Sequence, residues 1–507
     1  MENRTTASIV DVAILSLPRI APVRPAAAPP VLKALCNQAG RTSKIFDLNQ
    51  NFYLDFVTQN PEAGKEIDEY FIVKDQTLSV QALSLYENWI QHWIDIVISY
   101  QPKILAVSVF SWQSQKMVAD FLKLIRPRYS GEIIVGGQGL EFSQNMSSHW
   151  APHAGFAQLL KDNNLIDWWL KGETEETFLR FLNGERQLPG LNNHDAVMLA
   201  DANNIPISDF SDLDLSSYSN GYQGGVLPIE SCRGCVRSCA FCEMSSEHGA
   251  YRSKDGHALA NEVIHYYETY GVKHYYFHDD LMNGNLKDFA NFVDKILSYY
   301  QEKNLPDRTF SFSGYWIIRN QRQFDADDFV KFYRAGGNTL VTGVETGSDR
   351  LRKKMKKGFT TRDLEFNLEQ ISKLRMKFYF MLIAGLPGET PEDFQETLDC
   401  LTRWQRYVAS GAVIGINLGT TATIEPGTDI FNNYKKYNIV GLKDQRPQGI
   451  NWMCTETPDL DYKERVRRRV KLQEHVISLG YPLWKGDDHL RIIMDQYQIN
   501  IDMWRPQ

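Results

Sequence analysis

Residues 8–17, Ser-Ile-Val-Asp-Val-Ala-Ile-Leu-Ser-Leu, form an apolar run interrupted by Asp11. A continuous run of that length predicts a strand buried on both faces. Pro29-Pro-Val-Leu-Lys-Ala-Leu-Cys36 opens a helix that ends near Gly40, and Ser43-Lys-Ile-Phe-Asp-Leu48 reads as the next strand. The alternation continues through Ile104-Leu-Ala-Val-Ser-Val-Phe110, a helix over 114–126, and Glu132-Ile-Ile-Val-Gly-Gly137. This order predicts an α/β, doubly wound, Rossmann-like sheet with its crevice at the carboxyl ends of the strands. There Gly136, Gly137 and Gly139 permit either tight turns or close approach of a ligand. A stretch rich in Asn, Asp and Ser over 186–222 reads as a linker. A second core opens at Val226 and alternates strands with helices, the strands lying at 274–280 and near 309–316, 339–345, 377–384 and 412–418. The expected division is 1–190, a linker over 191–225, 226–435, and a small C-terminal helical region over 436–507.

At 507 residues the chain is too long for one core, which agrees with two or three domains. Lys plus Arg number 55 against 62 Asp plus Glu, a net charge of −7 with both signs mixed, so no basic nucleic-acid surface is indicated. No apolar stretch approaches the roughly 18–20 residues that span a bilayer, and the N-terminal run reads as a strand rather than a signal peptide. The expectation is a soluble, cytoplasmic protein. Seven cysteines, four of them packed into eleven residues, indicate metal binding in a reducing compartment rather than a disulfide framework.

Those four stand in Cys232-Arg-Gly-Cys235-Val-Arg-Ser-Cys239-Ala-Phe-Cys242. Cys235, Cys239 and Cys242, spaced x3 then x2, can cap three irons of a four-iron, four-sulfur cube and leave the fourth iron open to a ligand. The alternative is zinc, because 232/235 and 239/242 are both CxxC pairs. Zinc ribbons separate such pairs by about 15–20 residues, whereas three lie between these. Cys232 is then a buried thiol beside the ligands. The CxxxCxxC spacing, with the aromatic Phe241 before the last cysteine, resembles the radical S-adenosylmethionine (SAM) superfamily.

The resemblance covers about 226–427 and implies a partial (β/α)6 TIM barrel with a [4Fe-4S] cluster and SAM at the carboxyl ends of its strands. Phe277-His-Asp-Asp280, Gly343-Val-Glu-Thr-Gly-Ser348 and Gly385-Leu-Pro-Gly-Glu389 match the family's strand-end motifs in order. By resemblance, Asp279 and Asp280 lie at the barrel mouth, and Glu345 and Ser348 contact the ribose or methionine of SAM. Gly385 to Gly388 let backbone approach the adenine, and Arg252 and Arg319 match recurring basic positions, where an Arg can pair with a carboxylate. The first domain is similar to the cobalamin-binding domain that precedes many such barrels, on the Gly136-Gly137 turn and the segment Lys171-Gly-Glu-Thr-Glu-Glu176. Gln138 stands where that turn usually carries His, and no Asp-x-His-x-x-Gly loop is present, so no histidine of that motif would hold cobalt.

Together these imply a radical SAM enzyme of the cobalamin-dependent methyltransferase type. It would form a 5′-deoxyadenosyl radical and methylate an unactivated carbon of a small molecule or natural product. A flavodoxin- or ferredoxin-type protein would donate the electron. The alternatives are radical cyclisation, ring contraction or rearrangement without methyl transfer, and a non-catalytic iron–sulfur sensor. A methylthiotransferase fits less well, since residues 1–190 hold Cys36 alone. In the tail, the basic run Tyr462-Lys-Glu-Arg-Val-Arg-Arg-Arg-Val470 reads as a solvated helix face or a dock for an acidic donor. Trp452, Tyr481, Trp484, Tyr497 and Trp504 would lid the site or cover the barrel.

Overall fold

The computed structural model describes residues 8–18, 20, 22–73, 76–140, 155–193, 195–218, 225–244, 248–442 and 452–483. It divides into two units, Met1–Pro228 and Ile229–Gln507.

The first unit is built on a five-stranded parallel sheet of order β2-β1-β3-β4-β5. Its strands are β1 (Val12–Ser16), β2 (Ser43–Asp47), β3 (Ile104–Ser108), β4 (Glu132–Gly136) and β5 (Trp168–Leu170). Every residue of β1 is buried, because alternate side chains enter two different cores. Ala13, Leu15 and Leu17 join one, and Val12 and Ile14 join the other with helices α1 (Ala28–Gln38) and α7 (Glu175–Leu182). The strand order reverses direction between β1 and β3, the switch point at which sheets of this kind bind ligands.

Between β2 and β3 the structure inserts helices that the hydrophobic pattern leaves unassigned. They are α2 (Leu48–Asn51) running into a π-helical turn Phe52–Val57, α3 (Pro61–Ile72) and α4 (Val80–Ser99). Helix α4 buries Ala82, Tyr86, Ile90, Ile94 and Val97, a stripe at helical spacing, and Ser79 caps it by accepting from the Ala82 amide at 3.2 Å. Helices α5 (Gln115–Ile125) and α6 (Phe156–Asp162) complete the unit.

The expected linker is instead packed onto this unit. Leu188, Leu191, Leu199, Ala202, Ile205, Phe210 and Tyr218 are buried, and Asp212 pairs with Lys33 at 2.5 Å while accepting from the Ile45 amide at 2.8 Å. Its Asp residues, which gave the polar composition, cap short turns: Asp201 accepts from Asn203 and Asp214 from Ser216.

The second unit carries six strands in the order β13-β12-β11-β10-β9-β6, the sheet of a partial barrel. They are β6 (Val226–Ile229), β9 (His274–Phe277), β10 (Ser311–Tyr315), β11 (Gly337–Glu345), β12 (Lys377–Leu382) and β13 (Val413–Asn417). β9, β10, β12 and β13 fall within the expected strands, whereas β11 starts two residues before the expected 339. A short antiparallel pair, β7 (Cys232–Arg233) with β8 (Arg252–Ser253), forms the base of the loop that carries the cysteines. Burial alternates along β10 and β12: Phe312, Phe378, Phe380 and Leu382 are buried, and the residues between them line the lumen and are partly exposed. Helices α8 (Gly256–Tyr270), α9 (Leu286–Glu302), α10 (Ala326–Ala335), α11 (Asp349–Lys354), α12 (Thr361–Lys373) and α13 (Pro391–Ala409) follow the strands in turn.

The tail is not a separate region. Tyr437, Ile439, Trp452 and Cys454 share a core with Ala240, Leu351, Met355 and Leu386, and the Ile416 amide donates to the Pro482 carbonyl at 2.9 Å. The basic run lies on helix α15 (Tyr462–Ser478), preceded by α14 (Asp429–Asn432), and departs from a solvated face: Arg465, Arg468 and Arg469 are buried. Arg465 stacks on the Trp452 ring at 3.9 Å and donates to the carbonyls of Trp452 and Leu460, both at 3.0 Å. Arg468 pairs with Glu389 at 3.0 Å, and Arg469 donates to the Gly419 carbonyl at 2.8 Å. Their donors satisfy carbonyls of the tail and of the loop after β13 and a buried carboxylate, which the polar pattern cannot reveal. Trp452 and Tyr481 cover the barrel; Trp484, Tyr497 and Trp504 lie outside the described residues. Among the described residues no helix is long and apolar enough to cross a membrane.

Candidate active site

Of the seven cysteines, Cys36, Cys232, Cys400 and Cys454 are buried, while Cys235, Cys239 and Cys242 are partly exposed. The loop that presents these three is pinned from both sides: the Ala240 amide donates to the Met355 carbonyl and the Ile430 amide to the Ala240 carbonyl, each at 2.9 Å. Burial pushes all three thiols up, and Lys357 opposes it at each. Cys232 donates to the Leu281 carbonyl at 3.1 Å, and burial raises its thiol well above the ordinary value. It is the buried neighbour that the spacing implied.

Lys357 was not singled out from the sequence, where it ends the basic run Arg350-Leu-Arg-Lys-Lys-Met-Lys-Lys357 and reads as one more solvated charge. Its ammonium pairs with Glu345 at 2.7 Å and lies 5.5 Å from the centre of the Phe241 ring. Burial works to discharge it, but Glu345 and the thiols of Cys239 and Cys242 outweigh burial and hold its pKa above the ordinary value. Glu345 has φ +64, a conformation that costs a non-glycine residue about 1–3 kcal/mol and is found where surrounding structure enforces it. A register shift against β12 between Gly343 and Glu345 creates that turn, and a Cβ at Gly343 would collide with Glu345 Oε1 and lie 2.8 Å from Lys357 Nζ. Glycine at 343 therefore makes room for the ion pair.

The other expected contacts divide. Asp280 is partly exposed and close enough to raise the thiols of Cys235 and Cys242. Asp279 is buried and turned away to lace strand ends together, accepting from the Ser231 amide at 2.7 Å and from the Ser231 hydroxyl. Burial, reinforced by Glu230, raises it well above the carboxylate range. Ser348 departs from the expectation of a SAM contact: it is fully buried, caps α11 through the Leu351 amide and donates to Asp393 at 2.6 Å.

Gly385 and Gly388 face the chain itself. A Cβ at Gly385 would lie 2.5 Å from Arg465 Cγ, and one at Gly388 would collide with Lys354 Nζ, so their open sides are filled by side chains. Arg252 donates to the carbonyls of Ala250 at 2.8 Å and His248 at 2.5 Å and gathers the far end of the cysteine loop. Arg319 is buried beside that loop and donates to the Asn283 carbonyl at 3.0 Å. Its Nε finds no partner among the described residues, and burial lowers its pKa.

In the first unit, Gly137 has φ +116, and a Cβ there would collide with the Val109 carbonyl. The glycine turn thus knits the loops after β3 and β4 together, whereas Gly136 has only the Leu170 side chain near it, at 3.5 Å. At the switch point Ser16 pairs in register with Ser108, and the buried Ser16 hydroxyl has no partner among the described residues. Asp47, next to Ser16 on β2, accepts from the Tyr218 hydroxyl and the Gln50 amide. Phe110, just past β3, is 61% exposed. An unpartnered hydroxyl at a switch point, with an exposed aromatic two residues past its register partner Ser108, fits a large ligand with polar edges. Among the described residues of this unit the only histidine is His92, on α4.

The donor set of the second unit fits an iron–sulfur cube: three partly exposed thiols with a cation beside them to balance thiolate charge. Among the described residues no three His, Cys, Asp or Glu side chains converge on a single ion.

Residues 229–401 match the Radical SAM superfamily. The chain is 23% identical over 341 residues to an uncharacterized methyltransferase of Pyrococcus horikoshii, covering 61% of this chain and 66% of that protein. It is 26% identical over 180 residues to a ribosomal protein uS12 methylthiotransferase of Hydrogenobaculum sp., covering 34% and 43%. The chain thus spans less than two thirds of the length of these curated relatives. The fold is similar to the radical SAM methyltransferase TsrM from Kitasatospora setae solved with tryptophan substrate and a SAM analogue. That match has a TM-score of 0.59 at 15% identity, over 94% of this chain and 90% of that one. It is also similar to the cobalamin-dependent SAM radical enzyme OxsB with aqua-cobalamin and SAM, with a TM-score of 0.56 at 15% identity, over 98% and 63%.

Proposed function

We propose that this chain, which carries a radical SAM domain over residues 229–401, is a cobalamin-dependent methyltransferase acting on an unactivated carbon of a small molecule. The observation that carries the reading is the meeting of three partly exposed cysteines with the buried Glu345–Lys357 pair at the carboxyl ends of the barrel strands. A sheet of switch-point topology precedes that barrel.

Cys235, Cys239 and Cys242 would hold the cluster, and the first unit would hold cobalamin at its sheet edge by Ser16 and Ser108, without a ligand from a His motif. When bound, the cluster supplies the electron that splits SAM to a 5′-deoxyadenosyl radical, and cobalamin supplies the methyl carrier. Lys357 offers its ammonium protons to the SAM carboxylate, and Glu345 accepts from its amine or ribose hydroxyls. Arg319 and Asp280 close the sides of the same mouth. Phe241 shields the Lys357 ammonium from water, which strengthens its electrostatic hold. We place the electron donor, a flavodoxin- or ferredoxin-type protein, on the outer face of the cysteine loop, where Val236 is 40% exposed. Seven free cysteines agree with a reducing cytoplasm.

The test is anaerobic reconstitution with iron, sulfide and hydroxocobalamin, removal of free corrin, and metal analysis with the visible spectrum. About one cobalt per chain in a base-off state, with 5′-deoxyadenosine and S-adenosylhomocysteine formed on reduction, is the expected result. Iron and 5′-deoxyadenosine without cobalt would replace methyl transfer by cobalamin-free radical rearrangement. No SAM cleavage at all would favour a sensor.

A further inference from the structure

We infer that the guanidiniums of Arg237 and Arg319 set the reduction potential of the cluster held by Cys235, Cys239 and Cys242, favouring its reduced form through their fixed charge. This deepens the proposed function and rests on it for the presence of the cluster.

Both arginines are brought to the cysteine loop by the backbone around it. Arg237 lies inside the loop, and its amide donates to the Cys235 sulfur at 3.4 Å. Its side chain runs over the turn that follows Lys357. Gly358 has φ +76, and a Cβ there would overlap Arg237 Nη1, so the missing side chain is the socket for the guanidinium. From there Arg237 donates to the Ile318 carbonyl at 3.4 Å, one residue before Arg319. Arg319 comes from the loop after β10 and is only 9% exposed. It donates to the carbonyls of Asn283 at 3.0 Å and Gly284 at 2.5 Å, in the loop after β9. Two like charges are thus seated side by side: burial lowers the pKa of Arg319, Arg237 lowers it further, and Tyr251 and Cys235 work the other way. At Cys239 burial raises the thiol, and Lys357 and Arg237 oppose it.

These two charges differ from the others at the mouth because no neighbour cancels them. Lys357 is balanced by Glu345 at 2.7 Å. Among the described residues neither Arg237 nor Arg319 pairs with a carboxylate, and the Nε of each has no acceptor. Both Nε atoms are buried, which shuts out a free anion on that side and leaves the charge weakly screened. Two unpaired guanidiniums beside three thiols become favourable once those thiols carry negative charge. One electron added to a thiolate-bound cube makes the site more negative still, so a nearby fixed cation stabilises the reduced form more than the oxidised one. The electron comes from the donor protein or an added reductant, and neither arginine gains or loses a proton, since guanidinium stays charged throughout.

The experiment is an EPR-monitored redox titration of the reconstituted, anaerobic full-length protein. It is run without SAM, so that a guanidinium that also meets SAM is read through its charge alone. A unit charge about 10 Å away, at an effective dielectric of about 20, shifts such an equilibrium by about tenfold, which for one electron is about 59 mV. Arg237→Gln and Arg319→Gln should each lower the potential by about that amount, with iron and sulfide at the parent level, and the double variant by about twice as much. Arg237→Lys and Arg319→Lys keep the charge and should stay within about twofold, or about 18 mV, of the parent. Gln variants that keep the parent potential would overturn the inference. So would Lys variants that fall as far as the Gln variants, because lost packing rather than lost charge would then be the cause. Loss of iron from both Gln variants would overturn it too, by making the arginines supports of the loop. A parent that takes up no iron would end this inference and the proposed function together, whereas the expected shifts in a protein that cleaves no SAM would count against the proposed function alone.

Discussion

Separating Glu345 from Lys357 should destabilise the barrel through the orphaned partner rather than through the lost attraction. The two groups approach to 2.7 Å with side chains only 9% and 17% exposed. At an effective dielectric of about 20 their attraction is roughly 6 kcal/mol, most of it offset by the desolvation of both ions. Removing one partner leaves the other buried and uncompensated, which costs about 3–5 kcal/mol. Glu345→Gln keeps the same backbone cost at φ +64, but its amide oxygen can still accept from the Lys357 ammonium, whereas Lys357→Met leaves a naked buried carboxylate. The order of damage should be Lys357→Met, then Glu345→Gln, then the double variant, which carries no buried charge. For a unit of this size about 3 kcal/mol is a fall of roughly 6–12 °C in melting temperature, and the double variant should recover more than half of it. Calorimetry of the cluster-free protein under nitrogen reads this directly. Single variants within about 2 °C of the parent, or a double variant that melts at the sum of the two losses, would refute the coupling.

Alanine at Cys235, Cys239 or Cys242 should abolish bound iron and sulfide, whereas Cys232→Ala, which removes a buried donor to the Leu281 carbonyl, should keep the cluster and lose only some stability. Iron analysis with the visible spectrum separates the two cases. Burial works against the Asp393 carboxylate, but hydrogen bonds from Arg350 and Ser348 outweigh it and bring its pKa to about 2. Its folded value lies below its unfolded one, so the stability it contributes is full above about pH 4 and is lost as pH falls toward 2. Asp393→Asn should therefore lower the melting temperature clearly at pH 7, and the gap to the parent should narrow between pH 4 and pH 3. A gap that does not change with pH would contradict this. Gly137→Ala should destabilise the first unit by about 2 kcal/mol or more, because the new methyl meets the Val109 carbonyl at a φ alanine rarely adopts. Gly136→Ala should stay within about 0.5 kcal/mol. Urea unfolding followed by hydrogen exchange in the β4 region reads both, and equal losses would contradict the assignment.

The contrast between Lys357 and Ser348 shows what a linear pattern carries. Strands were legible because apolar runs and two-residue alternation are properties of neighbours in sequence, and the cysteine spacing was legible because one short loop supplies all three ligands. Lys357 sits among five other basic residues, and nothing local distinguishes the one whose ammonium turns inward to Glu345, twelve residues earlier. Ser348 follows the motif's order, yet its hydroxyl is held by Asp393, forty-five residues on, at the start of another helix. The arginines of α15 went the same way: a run of charge implies water, until carbonyls of Trp452, Leu460 and Gly419 and the carboxylate of Glu389 replace that water. Motif order therefore located the mouth of the barrel, while the choice of which side chains face it was made by hydrogen bonds between distant segments. Gly385 makes the point physically: its missing side chain admits the Arg465 stem from the last helix, so a glycine that reads as an opening for ligand serves as a socket for the chain.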